Sequence, residues 1–296
     1  MHRPDVFLFG ANSMLGWSIL QAGRRSGLAI EPFCNGNTRT LPPGIERGIH
    51  LDDELAVSQL FADERPRLVI HCAGVCDVET CEQSPEFAYS VNVDGTRILV
   101  DYAPEDARII YCSSDHVFGG DAGPYDEDSS PSPISVYGRT RVAAERLVLA
   151  RDRTLVIRSG LWIGPSSTGR IGHLDWLRDR HRRGLPMTIV ADEHRAAMWA
   201  HDAAARVWAL AQAAVTGIRH LTAPCVARPV IAAHLNQVFA IGATFDVQPR
   251  STRRAPHLGK VDLVTRFRDA LAAPLPSVVD TPGPDVRSLE TTSVTT

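Results

Sequence analysis

The sequence predicts an α/β protein, a doubly wound parallel sheet with a smaller C-terminal region. Three observations carry that prediction. Short apolar runs recur at DVFLF (5–9), LAIEPF (28–33), RLVIHCA (67–73), ARIIYCSSD (107–115), RTLVIRSG (153–160) and IRHLTA (218–223). Runs of this kind mark strands buried on both faces of a parallel sheet. Stretches of helical periodicity separate them, as right-handed βαβ crossovers require. The rhythm then breaks after Gly164, where a second region begins. A chain of 296 residues, 44% of them apolar, can fill the core of one large domain or two small ones.

The first strand runs into the turn GANSMLG and a helix, WSILQAGRRSG, that stops at Gly27. DDELAVSQLFADE (52–64) has helical periodicity with acids in its first turn. PEFAYSVNVDGTRILVDYA (85–103) reads as one long helix. A Pro-, Gly- and Asp-rich loop spans Gly119 to Pro133, and a helix carrying Tyr137 and Arg141 continues to about Ala150. Beyond Gly164 come a helix (HLDWLRDRHRRG), a strand-like PMTIVA, the helix HDAAARVWALAQAAV (201–215) and a helix within RPVIAAHLNQVFAIGA. The expected division is residues 1–164 for the parallel sheet, with 201–223 returning to it. Residues 165–200 and 224–273 form the smaller region. From Pro274 the composition turns to Pro, Ser, Thr and Asp, predicting a disordered tail over 274–296.

The net charge of −3 argues against a nucleic-acid partner, which calls for a basic surface. The Arg-rich RDRHRRG (178–184) reads as a solvated helix face. The N-terminal MHRPDVFLFG carries no secretory pattern, and no apolar run nears the roughly 20 residues that span a bilayer. The expectation is a soluble cytoplasmic protein without a membrane partner. Cysteines stand at 34, 72, 76, 81, 112 and 225, three of them within HCAGVCDVETCE. No Cys-x2-Cys pair occurs there, so buried free thiols are expected and no metal site.

GANSMLG follows a strand and opens a helix, where backbone N–H groups and the helix dipole can meet a phosphate. Gly10 and Gly16 are present, Ser13 takes the middle glycine slot, and Asn12, Met14 and Leu15 complete the turn. A tight turn with no ligand is the alternative. After the second strand, FCNGNTRT (33–40) offers no acid for a ribose 2′-hydroxyl and places Arg39 nearby. A guanidinium suits a 2′-phosphate, which favours NADPH, with NAD as the second choice. In SVYGRTRVAAE, Tyr137 and Arg141 project from one helix face, one turn apart. A phenol beside a fixed cation is a candidate proton donor, with its pKa lowered by the charge. Alone, that pair is also an ordinary helix surface.

The motifs in order resemble the extended short-chain dehydrogenase/reductase superfamily, and within it the dTDP-4-dehydrorhamnose reductase group. That group includes the regulatory β subunit of methionine adenosyltransferase. The matching blocks are the Gly-rich turn, VIHCAG with VNVDGT, SSDHVFGG, PYDEDSSPSPISVYGRTR, DEHRAAMWAHDAA and APHLGKVDL. SSDHVFGG stands where the group has Ser-Thr-Asp-Tyr-Val-Phe-x-Gly, and the likeness spans about residues 5–270. It implies a Rossmann-like fold whose smaller region binds substrate, and an enzyme that reduces the keto group of a 4-keto-6-deoxy nucleotide sugar or similar ketone. Tyr137 would donate the proton and Ser114 would polarise the carbonyl. Arg141 stands in the place of a Lys that binds the nicotinamide ribose. Cys72, Ala73, Gly74, Asn92 and Ser113 would lie along the cofactor, and Asp52 or Asp53 near the adenine. Asp115, His116, Val117, Trp162, Arg195 and Trp199 would join Ser114 around the substrate. Pairing through the Tyr-bearing helix would make a homodimer.

Three departures stand out: Arg141 for Lys, Ser13 for Gly, and Ala197-Met198 where the group has Pro-Thr. A cation near 4 Å at an effective dielectric of 20 is worth about 4 kcal/mol at most, and Arg retains it. Arg cannot relay a proton. Cofactor binding is therefore expected to survive, with hydride chemistry weakened or altered. The alternatives are a non-catalytic NADP-binding regulatory subunit and a redox-neutral epimerase or dehydratase.

Overall fold

Four consecutive buried residues, Val6–Phe9, form β1 in the computed structural model, which describes residues 5–36, 41–169 and 171–281. The Gly-rich turn leads to α1 (Met14–Arg25), then β2 (Ile30–Cys34), β3 (Arg47–Gly48), α2 (Glu54–Asp63) and β4 (Leu68–His71). The helices α3 (Val78–Gln83) and α4 (Pro85–Tyr89) pass through a π-helical turn at Ser90–Asp94 into α5 (Gly95–Tyr102). Next come β5 (Arg108–Cys112), α6 (Val136–Leu149), β6 (Thr154–Ser159) and β7 (Leu161–Ile163). The remainder is α7 (His173–Arg182), β8 (Thr188–Val190), β9 (His194–Trp199), α8 (Ala200–Gln212) and β10 (Gly217–Leu221). It ends with β11 (Cys225–Ala227), α9 (Arg228–Val238), β12 (Asp246–Gln248) and β13 (Lys260–Val261).

Seven strands form one sheet in the order β10-β6-β5-β4-β1-β2-β3, every pair parallel. The strand order reverses between β1 and β4. A crevice opens at such a reversal, beyond the carboxyl ends of the strands. One face carries Ile19, Leu20, Ala204 and Val207 from α1 and α8 against Leu8, Ile70 and Ile110. The other carries Val57, Leu99, Ala144 and Val148 from α2, α5 and α6 against Phe7, Phe9 and Val156. Covering on both faces is why these strands read as unbroken apolar runs. The indole of Trp208 donates to the Ile19 carbonyl at 2.9 Å, which pins α8 to α1.

A second sheet centres on β9, with β11 antiparallel to it and β7 and β13 parallel. A third, two-stranded sheet pairs β8 with β12. The expected tail is corrected over 274–281. Leu275 N–H donates to the Thr222 carbonyl at 2.8 Å and Val278 N–H to the Ala197 carbonyl at 3.0 Å. Both side chains are buried, so two apolar residues outweigh a polar composition. Residues 282–296 lie outside the described residues. Among the described residues no helix is long and apolar enough to cross a membrane.

Candidate active site

Gly10 sits at φ +79°, and a Cβ there would stand 2.5 Å from the Ala73 backbone nitrogen. A side chain at Gly16 would collide with the Gly10 carbonyl. These two glycines let the turn close onto the end of β4. Ser13 needs no such freedom: it is the extended N-cap of α1, and its Oγ accepts from Gly16 N–H at 3.0 Å. The serine in the middle glycine slot is therefore a helix cap.

From this turn a cavity of about 760 Å³ runs along the carboxyl edge of the sheet. Ser13, Met14 and Leu15 line one end; Cys72, Gly74, Ser113, Ser114, Tyr137 and Arg141 line the middle. His116, Trp162, Glu193, Arg195, Arg228 and His257 lie towards the smaller sheets.

Tyr137 and Arg141 share the inward face of α6, with the guanidinium carbon 5.0 Å from the phenol ring centroid. Tyr137 is 7% exposed, and Ser114 and Arg141 are its polar neighbours in the cavity. The expected lowering of its pKa is corrected. Burial pushes the phenol above its ordinary value of 10, and Arg141 draws it back without cancelling the effect. Tyr137 is accordingly a protonated phenol at neutral pH.

Arg141 is 4% exposed, and its Nη1 donates to the Tyr111 hydroxyl at 2.8 Å. Its Nε is buried without a protein partner. Ser114 caps a single turn at Asp115–Val117, accepting from His116 N–H and donating to Asp115 Oδ1, both at 3.2 Å. Behind Ser113, whose hydroxyl donates to Glu145 Oε1 at 2.5 Å, Arg158 holds the same carboxylate at 2.7 Å.

Asp115 is fully buried, and the Arg195 guanidinium holds both of its oxygens. Arg195 also donates to Glu193 Oε1 at 3.0 Å, and Glu193 Oε2 is 2.9 Å from His257 Nδ1. Burial would raise Glu193, but the His257 hydrogen bond and the charges of Arg228 and Arg195 hold it well below the usual carboxylate range. The substrate role expected of Asp115 is therefore corrected: the carboxylate is already fully engaged by the protein.

Val117 packs with Phe118, Tyr125 and Leu258, and Trp199 with Leu161, Leu177 and Ile231. The Trp199 indole donates to Thr281 Oγ1 at 2.9 Å. Neither residue faces the cavity, because apolar burial claims both side chains. Asn92 does not line it either. Its Oδ1 accepts from Val75 N–H at 2.8 Å, and its Nδ2 donates to the Val75 carbonyl and Thr140 Oγ1, both at 3.0 Å. It is a strut between the end of β4 and α6. Asp53 caps α2 by accepting from Ala56 N–H at 3.0 Å, and Asp52 lies 3.9 Å from His50, both outside the cavity lining. Arg39 lies outside the described residues. Cys72 Sγ is 3.4 Å from Cys112 Sγ, and the Trp162 indole donates to Ser159 Oγ at 3.0 Å.

Reading the sequence missed Tyr111, Glu193, His173, Arg228 and His257. Glu193 stood inside the block DEHRAAMW and could have been read with Arg195. Tyr111 lay in a strand whose pattern reads only as apolar.

The reversed strand order, the glycine turn at the reversal and the polar crevice beside it define a Rossmann-type α/β protein. A profile described as the RmlD substrate binding domain matches residues 4–256. The chain belongs to that family. It is 32% identical over 225 residues to a dTDP-4-dehydrorhamnose reductase of Streptomyces griseus, covering 73% of this chain and 67% of that one. It is 42% identical over 102 residues to methionine adenosyltransferase 2 subunit beta of Xenopus tropicalis, covering 34% of this chain and 30% of the subunit. The solved structure of a Bacillus anthracis dTDP-4-dehydrorhamnose reductase in complex with NADP superposes with a TM-score of 0.79. That match covers 95% of this chain and 97% of the other at 20% identity, a likeness of fold.

Proposed function

We propose that the protein is an NADPH-dependent reductase of a keto group on a small molecule, a 4-keto-6-deoxy nucleotide sugar or a related ketone. One observation carries the reading: a buried, protonated phenol shares a cavity with Ser114 and Arg141 beside a phosphate-binding type of turn. The relatives named as reductases of such sugars support the substrate class.

The residues fit a dinucleotide. The Gly10 position is a cradle that a Cβ would fill, Ser13 opens the N-terminus of a twelve-residue helix, and the buried Nε of Arg141 awaits an acceptor. β2 ends at Cys34, and Asn35 and Gly36 follow it, with no acid among the three, which favours NADPH over NADH.

A nicotinamide held here would supply the hydride that reduces the carbonyl carbon. Tyr137 gives its proton to the carbonyl oxygen, completing the alcohol, and Ser114 orients that oxygen by turning its hydroxyl proton from Asp115 Oδ1 to it. Arg141 would hold the ribose of that cofactor, and its charge favours the phenolate left behind. Because Arg141 releases no proton, Tyr137 is reloaded from the cavity side.

The test is oxidation of NADPH by the purified protein across a panel of nucleotide-linked keto sugars. Consumption with at least one of them is expected. Tight NADP binding with no consumption by any would overturn the reading.

A further inference from the structure

Tyr111 occupies a fully buried position on β5, between the apolar Ile110 and the cavity-lining Cys112. Packing alone would be served there by a Phe. A buried phenol needs a polar partner, and here it is Nη1 of Arg141 at 2.8 Å. The guanidinium carbon stands 5.6 Å from the Tyr111 ring centroid and 5.0 Å from that of Tyr137, so the cation lies between two phenols. Gly74 bounds it on another side: a Cβ there would be 2.9 Å from Nη2 and 2.7 Å from Asn92 Oδ1. Among the described residues, no carboxylate lies within ion-pair distance of Arg141, and its Nε has no protein partner.

We infer that Tyr111 is a positioning residue for the cofactor: its hydroxyl fixes the plane of the Arg141 guanidinium, so that the remaining N–H groups meet the ribose. An ammonium is a point charge with freely rotating donors and needs no such guide. A planar fork presents its donors in fixed directions and does. Tyr111 and Gly74 thus adapt the site to arginine. This rests on NADPH being the cofactor.

The experiment is a double-mutant cycle on the full chain, with Tyr111→Phe, Arg141→Lys and the pair. The dissociation constant of NADPH is read by its fluorescence, and melting temperature is followed in parallel. Tyr111→Phe should weaken NADPH binding about tenfold beside Arg141, and less than about twofold in the Arg141→Lys background. Equal losses in both backgrounds, or no loss in either, would overturn the inference. Tyr111→His, whose ring nitrogen can accept from Nη1, covers the case in which Tyr111→Phe does not fold. Binding within about threefold of the unmodified protein supports the role, and a tenfold loss overturns it. No saturable NADPH binding by the unmodified protein would instead sink the reductase reading and this inference together.

Discussion

Arg195 reaches across eighty residues of chain to hold both carboxylate oxygens of Asp115. The pair joins β9 of the smaller sheet to the turn that carries Ser114, so it sets the distance between the two walls of the cavity. Removing one partner would strand a buried charge. Arg195→Ala should destabilise the fold by about 3–5 kcal/mol in urea titrations. Arg195→Met combined with Asp115→Leu should recover part of that loss, the remainder reflecting the Arg195 donor that buried Glu193 still lacks. A loss under about 1 kcal/mol for the single change would show that the pair is not coupled to folding.

Tyr137→Phe should lower the turnover rate by about 10²–10⁴-fold, since it removes the general acid. NADPH affinity should stay within about twofold, because the ring remains. Ser114→Ala should lower the rate by about 10²-fold through loss of one donor to the oxygen. Steady-state kinetics with direct cofactor titration separates the two effects.

The raised pKa of Tyr137 makes a prediction about pH. Burial keeps the proton on the phenol despite Arg141, so no basic limb is expected near neutrality. In steady-state assays, kcat/KM should stay level from about pH 7 to about pH 9. A fall beginning near pH 7 would mean that Arg141 wins over burial.

Acid should unfold the protein earlier than its carboxylates alone predict. His71 is pushed down to about 3, by burial first and Arg141 second, and burial takes His220 down to about 4. Both rings are neutral in the fold, so their full stabilising contribution is present above about pH 6.5. Below that, the unfolded chain takes up protons that the folded chain refuses, until the pH reaches the folded values. Between those limits each ring costs about 1.4 kcal/mol per pH unit. The urea midpoint should drop steadily from pH 6.5 to pH 5.

Gly10→Ala should cost about 1–3 kcal/mol, because the position has φ +79° and its Cβ would meet the Ala73 backbone. NADPH binding should weaken at least about tenfold. Thermal melts with and without NADPH check both.

The strands of the large sheet were legible because covering on both faces leaves an unbroken apolar run in the sequence. β7 and β9 were not: LWI is three residues long, and HRAAMW begins with two polar side chains, of which Arg195 lines the cavity. The stretch 85–103 reads as one helix, and periodicity alone gave no sign of the π-helical turn that places Asn92 under Val75. Tyr137 and Arg141 were legible from spacing, which puts both on one helix face. The direction of the Tyr137 shift was not, since it depends on burial supplied by distant elements. Trp199 and Val117 were misplaced for a related reason. A motif block shows that residues lie near a site, but not which face of the strand or turn each side chain takes.

β9 draws its neighbours from residues 161–163, 225–227 and 260–261, and Ala197 bonds Val278. The large sheet is complete once residue 221 is in place. During synthesis from the N-terminus, the floor of the crevice can therefore form while its far wall still lacks β13 and the Val278 bond. A nascent chain halted near residue 230 would carry the whole nucleotide side while β13, His257 and the strap at Val278 were still missing from the substrate side.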